Sequence, residues 1–189
     1  MGAASELIRA HGVAETSLDD IIARADASKS QLYHYFGDRS GLLRAVVERN
    51  ADTVLGGLPP LGSWRAIRDW FDAMVELQVE RNARGGCTVG ALVSQLAEAD
   101  EEARRALAEA FERWQAHLAG GLRELQARGK LARGTDTEAL ATTTLAIIQG
   151  GLILTQTTRD PEQLATSLDG AYAFLRSYAH GARRRISAA

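Results

Sequence analysis

The chain has 189 residues, 46% hydrophobic and 24% charged, with a formal net charge of −2. That usage is ordinary for a globular protein. It sets aside disorder and gives no global electrostatic case for nucleic acid, membrane or an acidic substrate, so any anion site must be a local patch.

The single cysteine, Cys87, excludes an intrachain disulfide framework and fits a reducing cytoplasm. The N-terminus has no basic segment followed by an apolar one, so no secretory signal is expected. Ala4 to His11 has helical spacing, with Leu7 and Ile8 inward, and stops at Gly12. Ser17 opens a second helix through Ala25, with Asp20 three residues on in a capping-box pattern. After the tight turn at Asp26–Ala27, Ser28 is the N-cap of a third helix to about Tyr35. Gly37–Asp38 breaks the chain, and Asp38 caps a fourth helix through Leu42, Val46 and Asn50.

GGLPPLG, at 56–62, cannot continue a helix and marks a boundary. Beyond it Trp64, Ile67, Phe71, Met74, Val75 and Gln78 recur at helical spacing. A turn at Gly85–Gly86 leads to a short helix from about Val89 to Ala97. Leu107, Phe111, Trp114, Leu118, Leu122 and Leu125 then form one stripe on a long helix from about Glu101 to Arg128. Glu138 to Thr158 is apolar on most sides, and Pro161 suits the first position of a last helix bearing Leu164, Leu168, Tyr172 and Leu175. The most apolar run, LAIIQGGLIL at 145–154, is about half the ~20 residues needed to cross a bilayer and reads as a buried helix, so no membrane is expected. With no strand-like alternation, the expected class is all-α: about nine helices, divided into residues 1–48 and 49–183.

The third helix, within SKSQLYHYF at 28–36, is dense in long hydrogen-bonding side chains and has no carboxylate. Two helices of about nine and eight residues joined by a tight turn have the spacing of a helix-turn-helix, whose second helix enters the major groove. Ser28, Lys29, Ser30 and Gln31 occupy a first turn where free N–H groups and the helix dipole attract phosphate. Lys29 adds a salt-screened charge, Gln31 can pair with adenine, and Ser30 can meet several base edges. Tyr33, His34 and Tyr35 offer donors without negative charge. The bland alternative is a solvated helix with partly buried aromatics.

TSLDDIIARADASKSQLYHYFGDRSGLL resembles the N-terminal DNA-binding domain of TetR-family transcriptional regulators, over roughly residues 4 to 49. The S-K-x-x-L-Y-x-Y-F stretch carries the resemblance. It implies that Lys29, Ser30, Gln31, Tyr33, His34 and Tyr35 meet DNA, that Ser17 and Arg39 touch phosphates beside Ser28, and that Leu32 and Phe36 are core. GCTVGALVSQLAE and LAIIQGGLILTQTTRD resemble the LmrA/YxaF-like ligand-binding domain.

Two departures stand out. Asp26 occupies the usual glycine position before the recognition helix, and the first helix starts close to Met1, so a basic arm of the kind many relatives place beside the minor groove is not expected in this sequence. Residues 1–49 hold five Arg and one Lys against four Asp and three Glu, a net of −1, so DNA affinity must come from arrangement.

The resemblance further implies a homodimer on a palindromic double-stranded operator, and a repressor released by a small, largely apolar ligand. The expected ligand contacts are Trp70, Phe71, Met74, Thr88, Phe111, Trp114 and Gln149. The expected dimer contacts are Gly150, Gly151, Leu154, Leu168, Tyr172 and Leu175. For both sets the alternative is packed core. No cofactor is expected and no metal site.

Catalysis is disfavoured, because no histidine follows a glutamate by three residues and there is no HExxH, GxSxG or P-loop pattern. The rival reading is a helical small-molecule binding module without DNA activity.

Overall fold

The computed structural model describes residues 2–179; the expected end of the second domain at 183 lies outside them. Among the described residues there are nine helices: α1 Gly2–His11, α2 Leu18–Ala25, α3 Lys29–Phe36, α4 Arg39–Gly56, α5 Trp64–Glu80, α6 Gly90–Leu96, α7 Glu101–Ala127, α8 Thr137–Thr158 and α9 Glu162–Ser177. The only extended pairing described is an isolated bridge between Leu131 and Ala179. The all-α expectation holds, with element ends shifted by a few residues; α4 runs past Asn50 to Gly56.

Packing separates two compact units. The first comprises the chain through Leu58 together with Cys87–Glu112, and the second Pro59–Gly86 together with Arg113 onward. Packing therefore groups α6 and the first half of α7 with the N-terminal helices, a division unlike the single cut at residue 48.

In the first unit α2, α3 and α4 each begin on a capping side chain. Ser17 and Asp20 form a reciprocal capping box on α2, and Ser28 and Gln31 form another on α3. Asp38 accepts the Gly41 N–H at 2.8 Å and caps α4. Gly41 is required at that corner, since a Cβ there would lie 2.0 Å from the Phe36 carbonyl oxygen. The core joins Ala4, Ile8, Ile21, Leu32, Leu42, Val46 and Val47 to Leu92, Leu96 and Leu107. Burial of this apolar set holds together helices too short to persist alone.

In the second unit α8 and α9 pack most extensively. A Cβ on Gly151 would sit 2.9 Å from Leu164 Cδ1 and Ser167 Cβ, so glycine permits the close approach. Arg68 on α5 pairs with Asp169 at 2.6 Å and lies 4.1 Å over the Tyr172 ring, while Trp64 meets the same ring edge-on. The ten-residue apolar run thus belongs to a 22-residue helix long and apolar enough to span a bilayer by length and composition. Within the chain the helix is two-faced: Leu145, Ile148 and Leu152 are buried, while Ile153 and Leu154 are exposed.

Candidate nucleic-acid interface

The turn between α2 and α3 closes without glycine. Asp26 adopts φ 49° and ψ 49°, and its N–H returns to the carbonyls that end α2. Aspartate enters the left-handed region more readily than most residues. Ala27 then donates its N–H to the Ile22 carbonyl at 3.1 Å, which turns the chain sharply into the Ser28 cap. Together the two caps and this turn fix the angle between α2 and α3.

On α3 only Leu32 is buried, at 5% exposure, and Phe36 is half-buried against the same core. Ser28, Lys29, Ser30, Gln31, Tyr33, His34 and Tyr35 are all exposed, Tyr35 at 75%. The His34 and Tyr35 rings meet edge-on at 5.3 Å, which orients both without burying them. The helix carries no acidic residue, so its positive end is not neutralised from within. An exposed surface of donors at a helix N-terminus suits a polyanion.

Three expected contacts carry second duties. The Gln31 Oε1 accepts the Ser28 N–H at 2.8 Å, leaving the amide nitrogen for a base edge. Pairing with adenine through both amide atoms would break that cap. The Ser17 hydroxyl donates to Asp20, whose carboxyl is held below the usual aspartate value by the Ser17 hydroxyl and then by the Ser17 N–H. Arg39 is exposed, yet its guanidinium donates to the carbonyls of Val13 at 2.9 Å and Thr16 at 3.3 Å.

The expected ligand residues fall in both units. Trp70, Phe71 and Trp114 are buried in the second unit, with the first two rings 5.3 Å apart, and Met74 and Gln149 are half-buried there. Thr88 and Phe111 are half-buried in the first unit, Phe111 against its core. Trp114 Nε1 and Gln149 Nε2 are buried donors without a partner among the described residues.

Of the expected dimer residues, Gly151, Leu168 and Leu175 are buried within the chain, and Tyr172 is engaged by Arg68 and Trp64. Gly150 has open space where a Cβ would point, and Leu154 is 50% exposed. Ile153, at 62%, extends this outward face and was missed because hydrophobic spacing does not reveal which side of an all-round apolar helix is covered.

Comparison with known proteins bears on the same two regions. The model for bacterial regulatory proteins of the tetR family matches residues 1–46, and that for the LmrA/YxaF-like transcriptional regulator C-terminal domain matches residues 63–168. An HTH-type transcriptional regulator in the lacX 3′ region of Lactococcus lactis subsp. lactis is 29% identical over 176 residues, covering 88% of this chain and 86% of that protein. The transcriptional regulator AcuR of Cereibacter sphaeroides is 32% identical over 140 residues, 69% of this chain and 62% of AcuR. The crystal structure of regulatory protein TetR from Rhodobacter sphaeroides superposes with a TM-score of 0.71 at 26% identity, covering 91% of this chain and 94% of that one. Helix-turn-helix geometry, the exposed polar α3 and these matches lead to one assignment: the chain belongs to the TetR family of transcriptional regulators, DNA-binding proteins rather than enzymes, with an LmrA/YxaF-like C-terminal domain.

Proposed function

We propose that the protein is a dimeric cytoplasmic repressor that leaves a palindromic operator when a small, largely apolar molecule binds its second unit. The observation that carries the DNA half is the exposed, carboxylate-free surface of α3. Lys29, Ser30, Gln31, Tyr33, His34 and Tyr35 are its base and phosphate contacts, with Ser28 and Ser17 presenting helix N-termini to the backbone. A lone helix-turn-helix reads few base pairs, and two copies must sit about 34 Å apart to read successive major grooves. The outward residues Ala146, Gly150, Ile153 and Leu154 of α8, with Gly170 and Ala173 of α9, suit a four-helix contact between copies. Small residues there admit close approach, and the larger ones supply apolar area.

The ligand half rests on buried Trp70, Phe71 and Trp114 with half-buried Met74 and Gln149. Release requires a ligand that prefers the non-binding conformation, and coupling of about 1–3 kcal/mol is typical.

A gel shift on duplex DNA flanking the protein's own gene, followed by addition of hydrophobic compounds found by thermal shift, tests both halves. Binding lost in a Lys29→Ala/Tyr33→Ala variant and reversed by a compound is the expected result. Equal DNA binding by that variant and the wild type would defeat α3 as the reading surface, and no binding by either would leave the rival reading, a helical small-molecule module.

A further inference from the structure

We propose that Gln95, on α6 and outside the helix-turn-helix, is a positioning residue for DNA binding. The proposal rests on the DNA-reading role of α3 and concerns what sets its posture.

The loop Gly12–Thr16 feeds directly into the Ser17 cap of α2. Val13 is 8% exposed and Thr16 2%. The Val13 backbone is gripped at both of its polar groups: its N–H donates to Gln95 Oε1 at 2.8 Å, and its carbonyl accepts from Arg39 at 2.9 Å. Arg39 also reaches the Thr16 carbonyl, and the Thr16 hydroxyl donates to the Gly12 carbonyl at 2.7 Å. The Gln95 side chain, though largely exposed, is not free to swing, because its Nε2 donates to the Ala91 carbonyl of its own helix at 2.8 Å.

The fit is close. Gly12 has φ +85°, and a Cβ there would stand 3.1 Å from Gln95 Oε1. The backbone conformation thus favours glycine, and the missing side chain lets the amide approach without shifting.

A second link joins the same elements. The Ser40 hydroxyl of α4 donates to Asp100, whose other oxygen accepts the Ala103 N–H at 2.9 Å and starts α7. Leu92 and Leu96 of α6 are buried in the same core as Val13 and Leu42.

Because caps and the Asp26 turn fix α3 relative to α2, the point where α2 begins decides where α3 ends up. Gln95 sets that point from α6. An error of about 1 Å in a recognition element is enough to cost much of its contact energy. Gln95 acts through the Val13 peptide and touches no DNA itself, so its loss should alter affinity without altering the number of phosphate contacts.

The experiment selects duplexes from a random library with the wild-type protein. It then measures affinity across a salt series for wild type, Gln95→Met, Gln95→Glu, Arg39→Met and the Gln95→Met/Arg39→Met double variant, with melting curves for each. Gln95→Met keeps the length and removes the acceptor. It should bind about five-fold more weakly with an unchanged salt slope, while its melting temperature falls by only a few degrees, as the loss of one ordinary hydrogen bond implies, and stays well above the assay temperature. Gln95→Glu keeps the acceptor for Val13 but loses the Nε2 donor to Ala91, so at high salt, where its charge is screened, it should recover part of the affinity that Gln95→Met loses. The double variant should lose less than the product of the single losses, as partners of one residue's backbone do.

Wild-type affinity in Gln95→Met, failure of Gln95→Glu to recover at high salt, or strictly multiplicative losses would each overturn the proposal. A loss in Gln95→Met that only tracks a lower melting temperature would do the same. If the wild type selects no duplex at all, the DNA-reading role of α3 fails first, which is a distinguishable result.

Discussion

α3 and α8 both leave more of their surface in water than their packing requires, with opposite chemistry. α3 exposes hydroxyls, an amide, an ammonium and an imidazole, and buries little beyond Leu32 and part of Phe36. α8 exposes Ala146, Ile153 and Leu154 while its other face is locked against α9 by Gly151. A polar face is stable in water and becomes informative only through what it lacks, here any carboxylate. An apolar face costs roughly 25 cal/mol per Å² until something covers it, so its exposure points to a partner of like surface. On the proposed function, one helix meets a polyanion and the other a second helix pair.

The sharpest way to break this contrast is to charge the apolar face. An Ile153→Asp/Leu154→Asp variant should sediment as a monomer and lose operator affinity by about a hundred-fold or more, because two half-sites would no longer be bound together. Retained dimerisation would move the interface elsewhere.

Next in size is the inward–outward distinction within α8. In that charged background, Gly151→Ala should cost about 1–3 kcal/mol in denaturant unfolding, since its Cβ meets Leu164 and Ser167 at 2.9 Å. Gly150→Ala, with open space around it, should be neutral or stabilising by up to about 1 kcal/mol. Equal costs at the two positions would contradict the two-faced helix.

Smaller again is the polar face of α3. Lys29→Ala should weaken binding to all duplexes alike and lower the salt slope by about one. An unchanged slope would take Lys29 off the phosphate backbone.

The smallest effect concerns the acid limit of the caps. Asp20 is held below its ordinary 3.8 by the Ser17 hydroxyl and N–H. Burial pushes Asp100 upward, but the Ala103 N–H, the Ser40 hydroxyl and the Glu102 N–H outweigh it and leave Asp100 below 3.8 as well. A carboxyl lowered on folding stabilises the fold above its unfolded value and loses that contribution as pH falls through the folded one. Helicity followed by circular dichroism should therefore show no step from these two groups between pH 7 and about pH 5, and the stability difference between Asp20→Asn and the wild type should be full at pH 7 and shrink as pH falls below about 4.

Much of this was legible in the chain. Ser17, Ser28 and Asp38 announce helix starts because caps act through residues three apart, and hydrophobic spacing locates the buried stripes because helical period is local. Asp26 in a left-handed turn could be expected for the same reason. What sequence does not carry is which elements meet. Gln95 has no neighbour in the chain that hints at Val13, 82 positions away. Asp100, just ahead of Glu101 and Glu102, has the pattern of a cap, yet its bond to Ser40 is a tertiary fact. Arg39 fits the position of a phosphate contact in the resemblance and is found gripping loop carbonyls. The stripe Leu164, Leu168 and Leu175 reads equally as interface or interior, and only packing assigns it to the interior.

Asp26 carries one more consequence. Its carboxylate stands at the hinge of the two helices that approach DNA, where asparagine would keep the same backbone shape without the charge. Asp26→Asn should thus hold every duplex somewhat tighter and dissociate more slowly, leaving the protein less able to scan along a chromosome and to let go on cue.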